Sequence, residues 1–415
     1  MKILHSSDWH IGRALFEKKR YREFELFLNW LLQTINQQGI DMLLVAGDVF
    51  DTSTPGNRSQ EIYYRFLYQV ASCSCCRHVV VVAGNHDSPS FLSAPKDLLK
   101  ALNVHVIGSA SENYKDEVLV LRNKDDLPEL IVCAVPYLRD RDVRVAQPGE
   151  SIEEKEKKLI GGIREHYFNV CELAEQKRKE LKMEIPIIAT GHLFTAGGKT
   201  VDGDGVRDLY VGSLAHLTID IFPSFIDYLA LGHLHIPQKV NDSDIIRYSG
   251  SPLQMSFGEA KQQKNVCMIE FDGRSPAVSL IQVPVFQKLE SIRGAWDQIE
   301  KRISELLNMG SSIWVEVIYE GEEVIGNLRE RLETLVNGSE IEILRVKNNH
   351  IINMVLNKKF EEECLDDLSV DDVFERCLEL NEVPVEQRAE LLNAYKEIVI
   401  SLNEEDKLET SLEIG

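Results

Sequence analysis

The sequence predicts an α/β protein built from parallel crossover units, on three observations. From the N-terminus onward, apolar β-branched runs alternate with helical patterns in the order strand, helix, strand, helix, strand. Five such runs end in short polar turns that deliver aspartate, asparagine or histidine, and strand carboxyl ends are where open α/β sheets place their chemistry. At 415 residues the chain is also too long for one average domain and suggests two or three.

The elements follow in order. Residues 2–6 form a strand that feeds Asp8-Trp9-His10, where alternation points Asp8 and His10 the same way, able to grip one ion. Phe24, Phe27, Leu28, Leu31, Leu32 and Ile35 recur at helical spacing over 21–37 and are core. Strand 41–46 ends in Gly47-Asp48-Val49-Phe50-Asp51, and a helix over 59–71 leads to the run Val79-Val80-Val81-Val82-Ala83. That run ends in Gly84-Asn85-His86-Asp87, where the glycine is expected to allow a sharp turn. Helix 95–102 and strand 104–107 continue the pattern, then a strand over 130–135 closed by Pro136, with Tyr137 and Arg139 beyond it. Residues 151–182 predict a charged, mostly solvated helix. Two more apolar runs, 187–190 and 227–231, deliver Gly191-His192 and Gly232-His233-Leu234-His235. Strands over 265–271 and 277–283 finish a first domain, 1–285.

The pattern then changes to helix, strand, helix, strand over 292–307, 312–319, 324–336 and 340–346, with no cluster of site-like residues. This predicts a small second α/β domain, 286–350, fit for covering or binding. Residues 351–415 form an acidic linker and a helical hairpin, with Val370, Val373, Phe374, Cys377 and Leu378 on one stripe and Leu391, Tyr395, Ile398 and Leu402 on the other. Such helices suit a partner protein.

Charge and cysteine content narrow the class. The formal charge is −21, but residues 358–415 hold 18 acidic and 6 basic side chains, which leaves the preceding residues at −9. A basic groove is therefore compatible with the overall acidity, and Arg13, Lys18, Lys19 and Arg20 around Phe16 are candidate substrate contacts. Eight cysteines fit a reduced compartment, and Cys73, Cys75 and Cys76 lack the second ligand pair that a zinc site wants. The N-terminus is too soon polar for a signal peptide, and no apolar run is long enough to span a membrane. A soluble cytoplasmic protein is expected. The glycine-rich loop around Gly197-Gly198-Lys199-Thr200 fails the phosphate-loop pattern because Leu193 stands where its first glycine belongs, so Lys199 is only a candidate substrate contact.

Asp8, His10, Asp48, Asn85, His192, His233 and His235 suffice for two ions: Asp8, His10 and His235 for one, Asn85, His192 and His233 for the other, with Asp48 bridging. Mixed imidazole, carboxylate and amide donors without thiolate suit Mn²⁺, Fe²⁺ or Zn²⁺ better than Ca²⁺ or Cu⁺. Two ions about 4 Å apart clamp a phosphoryl centre and acidify water at neutral pH. His86, redundant as a ligand, is expected to give a proton to the departing oxygen or to stabilise phosphate charge. Two nearby cations oppose its imidazolium form, so a carboxylate partner is expected, Asp51 first and Asp87 as the alternative.

Asp8-Trp9-His10, Gly47-Asp48-Val49-Phe50-Asp51, Gly84-Asn85-His86-Asp87, Gly191-His192 and Gly232-His233-Leu234-His235 resemble the five motifs of calcineurin-like metallophosphoesterases. Ser7-Asp8-Trp9-His10-Ile11-Gly12, Ala83-Gly84-Asn85-His86-Asp87-Ser88 and the layout of the chain more narrowly resemble the SbcD family, nuclease subunits of bacterial SbcC–SbcD complexes. The resemblance implies a double β-sandwich flanked by helices, two Mn²⁺ ions, and 3′→5′ exonuclease and endonuclease action on DNA in repair and recombination. It also implies a homodimer within a heterotetramer, a capping domain touching DNA, and C-terminal helices docked on an SbcC-type ATPase. Relatives of this family often carry histidine where this chain has Asp51. The competing readings are a two-metal phosphodiesterase or phosphatase acting on a small or protein substrate, and a scaffold with a vestigial site.

Overall fold

Lys2–Ser6, Met42–Ala46, His78–Val82 and Val104–Ile107 run parallel as neighbours in a six-stranded sheet, which Asn265–Asp272 and Ser275–Gln282 extend antiparallel beyond Lys2–Ser6. A second six-stranded sheet has the order Gln238–Val240, Ser243–Tyr248, Tyr228–Gly232, Ile187–His192, Pro128–Cys133 and Val118–Arg122, parallel at its centre and antiparallel at both edges. This computed structural model describes residues 1–195 except 146 and 148, residues 217–348 except 322, 324 and 326, and residues 378 and 388. The chain divides into two compact units, Met1–Ser291 with Ser312–Val315, and Ile292–Ser311 with Glu316–Gly415.

The central parallel strands of both sheets are covered on both faces, which is why they are apolar throughout instead of alternating. Ile3, Met42, Leu44, Val80 and Val82 pack in one cluster with Leu130, Val132, Ile188, Tyr228 and Ala230, so the two sheets meet face to face. The opposite set, Leu4, Leu43, Val45, Val79 and Val81, packs with Phe24, Phe27, Leu31 and Ile35 of helix Tyr21–Gln38 and Ile62 and Phe66 of helix Asn57–Ala71. On the far side, Ile131, Ile187, Ala189 and Leu229 meet the helix Ile152–Leu181. The result is a double sandwich with helices outside, as the motifs imply.

That last helix is less solvated than its charge suggests. Leu159, Ile163, Tyr167, Val170, Cys171 and Ala174 recur at three- and four-residue spacing and are buried, a stripe that the surrounding Glu and Lys residues obscure in the sequence. Its start is set by a capping box: Ser151 Oγ accepts from Glu154 N at 3.2 Å and Glu154 Oε2 from Ser151 N at 2.9 Å.

After the sandwich comes a three-stranded sheet, Lys288–Gly294, Ile313–Tyr319 and Ile341–Asn348 in that order, with helices Trp296–Leu307 and Leu328–Val336. The expected first helix thus starts four residues late. Residues 292–294 belong to a strand, and Gln298 Oε1, by accepting from Ala295 N at 3.2 Å, starts the helix after Ala295. The expected C-terminal helical hairpin and the loop carrying Lys199 lie outside the described residues, save Leu378 and Arg388, both helical.

Candidate metal centre

The carboxyl ends of the first two parallel strands stay paired after the strands end. Asp8 N donates to Gly47 O at 3.0 Å, His10 N to Asp48 O at 3.0 Å and Ile11 N to Val49 O at 2.9 Å. Within these turns Asp8, His10 and Asp48 adopt φ of 53°, 47° and 50°, and His233 adopts 95° at the end of its own strand. Left-handed backbone is unfavourable for residues with a Cβ and is sustained only where the surroundings impose it. The glycines serve close approach as much as turning. A Cβ on Gly47, φ 90°, would lie 2.1 Å from His192 Nδ1, and one on Gly84 would lie 2.1 Å from Asp48 Oδ1. Gly84 is not among the left-handed residues, so its role is to leave room for the carboxylate rather than to permit a sharp turn.

All seven expected ligands come together. His10 Nε2 and His235 Nε2 face each other at 3.1 Å, and with an Asp8 oxygen they form one group of donors. Asn85 Oδ1 lies 3.1 Å from both His192 Nε2 and His233 Nδ1, and Asp48 Oδ2 is 3.2 Å from His192 Nε2. The same Asp48 oxygen is 3.6 Å from His10 Nε2, so it stands between the two groups. Asp8, His10, Asp48, His192 and His235 are buried, while Asn85, His86 and His233 are partly open to solvent. Two imidazole nitrogens at this distance either share a proton or face a common cation. Ligand nitrogens about 2.1 Å from one ion naturally come to about 3 Å from each other, so the donor set fits divalent metal.

Three of the four ligand histidines have an acceptor behind the ring. His192 Nδ1 lies 3.0 Å from Ala46 O, His10 Nδ1 lies 3.3 Å from Asp51 Oδ1, and His235 Nδ1 lies 3.7 Å from Glu259 Oε1. No sequence pattern points to Glu259 or to its partner Lys264. They belong to no motif, and only the fold carries them behind a strand-end histidine.

The expected carboxylate partner of His86 is corrected by this geometry. His86 Nδ1 contacts the main-chain carbonyl of Asp51, at 2.8 Å, while the Asp51 carboxylate turns to His10 and to Arg13 Nη1 at 3.5 Å. Asp87 is not the alternative either: its buried carboxylate accepts from Gly84 N, Phe50 N and Val49 N at 2.9, 3.0 and 3.1 Å, pinning one strand-end turn to the next. Main-chain donors satisfy the Asp87 carboxylate and the side chains of His10 and Arg13 engage that of Asp51, so neither meets the imidazole of His86.

Burial sets the protonation states. It pushes His10 down to about 4 and His233 down to about 3, leaving both as neutral, ligand-competent rings. Burial would lower His192 too, but the Asp48 carboxylate outweighs it and raises the ring to about 9. Burial likewise opposes ionisation of Asp48, and His192 overcomes it and holds the carboxyl well below the usual range. A proton on His192 therefore sits where a cation would, and metal binding here would release it.

The basic run divides. Arg13 stands beside Asp51, and Lys18–Lys19 pairs antiparallel with Ala14–Leu15 in a short hairpin, with Lys19 exposed. Arg20 is corrected: it is 2% exposed and gives two hydrogen bonds to Glu23, at 2.8 and 2.9 Å, so it is a core ion pair rather than a substrate contact.

Residues 1–237 match the calcineurin-like phosphoesterase family, and residues 285–382 match the family described as type 5 capsule protein repressor C-terminal domain. The chain is 33% identical to the SbcD subunit of nuclease SbcCD from Escherichia coli K12, over 95% of this chain and 97% of that one. The chain belongs to the SbcD family. Other SbcD relatives align over about two thirds of it: the SbcD subunit of Rhodobacter capsulatus, 32% identical over 66% of this chain and 67% of its own, and that of Bacillus subtilis, 32% over 65% and 66%. As an SbcD-type calcineurin-like protein the chain is a metal-dependent phosphoesterase, and its ligand cluster is a site for divalent metal. No helix among the described residues is long and apolar enough to cross a membrane.

Proposed function

We propose that the chain is the nuclease subunit of a DNA-processing complex, a Mn²⁺-dependent phosphodiesterase that degrades DNA 3′→5′ and cuts hairpins internally. The observation that carries this reading is the pooling of donors from five strand ends into two groups that share Asp48. Asp8, His10 and His235 would hold one Mn²⁺, Asn85, His192 and His233 the other. Ions there would polarise the phosphodiester and acidify the attacking water. His86 carries the proton chemistry. With Nδ1–H given to the Asp51 carbonyl, its Nε2 is free either to accept a proton or, once protonated, to donate one to the departing oxygen. The carbonyl accepts from Nδ1–H in either state of the ring and so keeps the ring oriented while Nε2 exchanges a proton.

In this reading residues 1–285 are the nuclease domain and residues 286–350 a capping domain that contacts DNA, and Arg13, Lys18 and Lys19 are DNA contacts of the nuclease domain. The helices expected within 351–415 dock on an SbcC-type ATPase in the cytoplasm, and the nuclease domain forms a homodimer. The relatives bear the name of such a nuclease component. The test is digestion of end-labelled duplex and hairpin DNA in Mn²⁺, with and without the ATPase. Expected are Mn²⁺-dependent shortening from 3′ ends and opening of hairpins; cleavage of an aryl phosphodiester with intact DNA in both arms would overturn the DNA assignment.

A further inference from the structure

Behind His235 lies a buried ion pair outside the five strand-end motifs. Glu259, fully buried, ends the short turn Phe257–Glu259, and Lys264, 2% exposed, directly precedes the strand Asn265–Asp272. Lys264 Nζ donates to Glu259 Oε2 at 2.5 Å, to Ser251 Oγ at 3.0 Å and to the main-chain carbonyl of His235 at 2.9 Å. Met255 N donates to the same glutamate oxygen at 3.1 Å. The other oxygen, Oε1, makes no hydrogen bond among the described residues and lies 3.7 Å from His235 Nδ1. His235 Nε2, across the ring, faces His10. A buried ion pair contributes little net stability once desolvation is counted, so stability alone does not account for a lysine and a glutamate placed here.

We infer that Glu259, locked in place by Lys264, is a positioning residue that tunes one of the two metal sites and leaves the other alone. Lys264 grips the ligand's main chain and the carboxylate behind its ring at once, which fixes the distance between them. With its proton on Nδ1, facing the Glu259 carboxylate at 3.7 Å, His235 directs the Nε2 lone pair at the ion, and the field of the carboxylate makes that nitrogen a stronger donor. The second donor group has different supports: His192 leans on the Ala46 carbonyl, and His233 and Asn85 contact each other. The asymmetry is the content of the inference, which rests on the two-ion reading above.

Mn²⁺ titration of the full chain, followed by calorimetry and by electron paramagnetic resonance, tests it. The parent protein is expected to bind two ions with the signal of a coupled pair. Glu259→Gln should weaken one ion on the order of 10- to 100-fold and leave the other unchanged, so that the coupled signal gives way to that of isolated Mn²⁺. Because Glu259→Gln leaves Lys264 buried beside a neutral partner, the double variant Glu259→Gln/Lys264→Met removes both charges, and thermal melting of the metal-free proteins monitors folding. A double variant that melts like the parent and binds both ions with parental affinity overturns the inference. A parent that binds no Mn²⁺ overturns the two-ion reading itself, a distinguishable failure.

Discussion

The two six-stranded sheets contribute unequally to the metal centre. The first supplies every oxygen ligand, Asp8, Asp48 and Asn85, together with His10 and His86; the second supplies only imidazoles, His192, His233 and His235. Neither of the two proposed ion sites is completed by one sheet. Asp8 and His10 need His235 from across the sandwich, and Asp48 and Asn85 need His192 and His233. An ion bound here therefore ties the sheets together at one end, as the apolar interface does along their length.

The largest effect is expected where both groups meet. Asp48→Asn should remove both ions and all measurable phosphodiesterase activity. It should also abolish the stabilisation that Mn²⁺ gives the parent, about 2.7 kcal/mol per ion at a hundredfold excess over Kd; calorimetric melting with and without Mn²⁺ measures this. If the variant is still stabilised to the same extent, the ions do not bridge the sheets through Asp48.

His86→Gln acts on chemistry alone. It should retain both ions by metal analysis and lose cleavage by about 10²- to 10⁴-fold. Loss of an ion instead would make His86 a ligand, as its place in a donor group with His10 and Asp48 allows.

The smallest effect concerns the second link between the sheets. His5, wholly buried, sets Nδ1 3.0 Å from the Tyr228 hydroxyl of the opposite sheet, and burial pushes its ring down to about 3. The folded state thus holds His5 neutral, while the unfolded chain takes up a proton below about 6.5. Its contribution is fully present above pH 6.5 and is lost as pH falls toward 3, at about 1.4 kcal/mol per pH unit. Denaturation of the parent and of His5→Gln between pH 7 and 5 should show a shallower decline in the variant; parallel curves would mean that His5 is solvated.

The ligands were legible because their grammar is local. A buried parallel strand is a continuous apolar run, and the first polar residues after it stand at the carboxyl end of the sheet, so Asp8, Asp48, Asn85, His192 and His233 could be placed from one dimension. What surrounds them was not. Glu259 reaches His235 from a turn 24 positions on, and Arg20, one of four basic residues in a row of candidates, is distinguished from Lys19 only by the Glu23 that folds onto it. Asp51 lies at an expected position with an unexpected function, because whether its carboxylate or its carbonyl meets His86 depends on a turn whose backbone follows no common sequence rule. The half-buried strands Val118–Arg122, at one edge of the second sheet, and Ser243–Tyr248, next to the other, lack the uninterrupted run that marked the central ones.

The left-handed backbone at Asp8, His10, Asp48 and His233 has a consequence for how such a centre can change over generations. Each of these positions is held in a conformation that costs roughly 1–3 kcal/mol for a residue with a side chain, and β-branched residues fit it worst. Threonine, valine and isoleucine are therefore closed to them whatever the chemistry requires. Glycine is open, and Asp8→Gly would relax the turn while destroying the donor group. Substitutions that make the fold sturdier and substitutions that make the centre inert therefore begin at the same four residues.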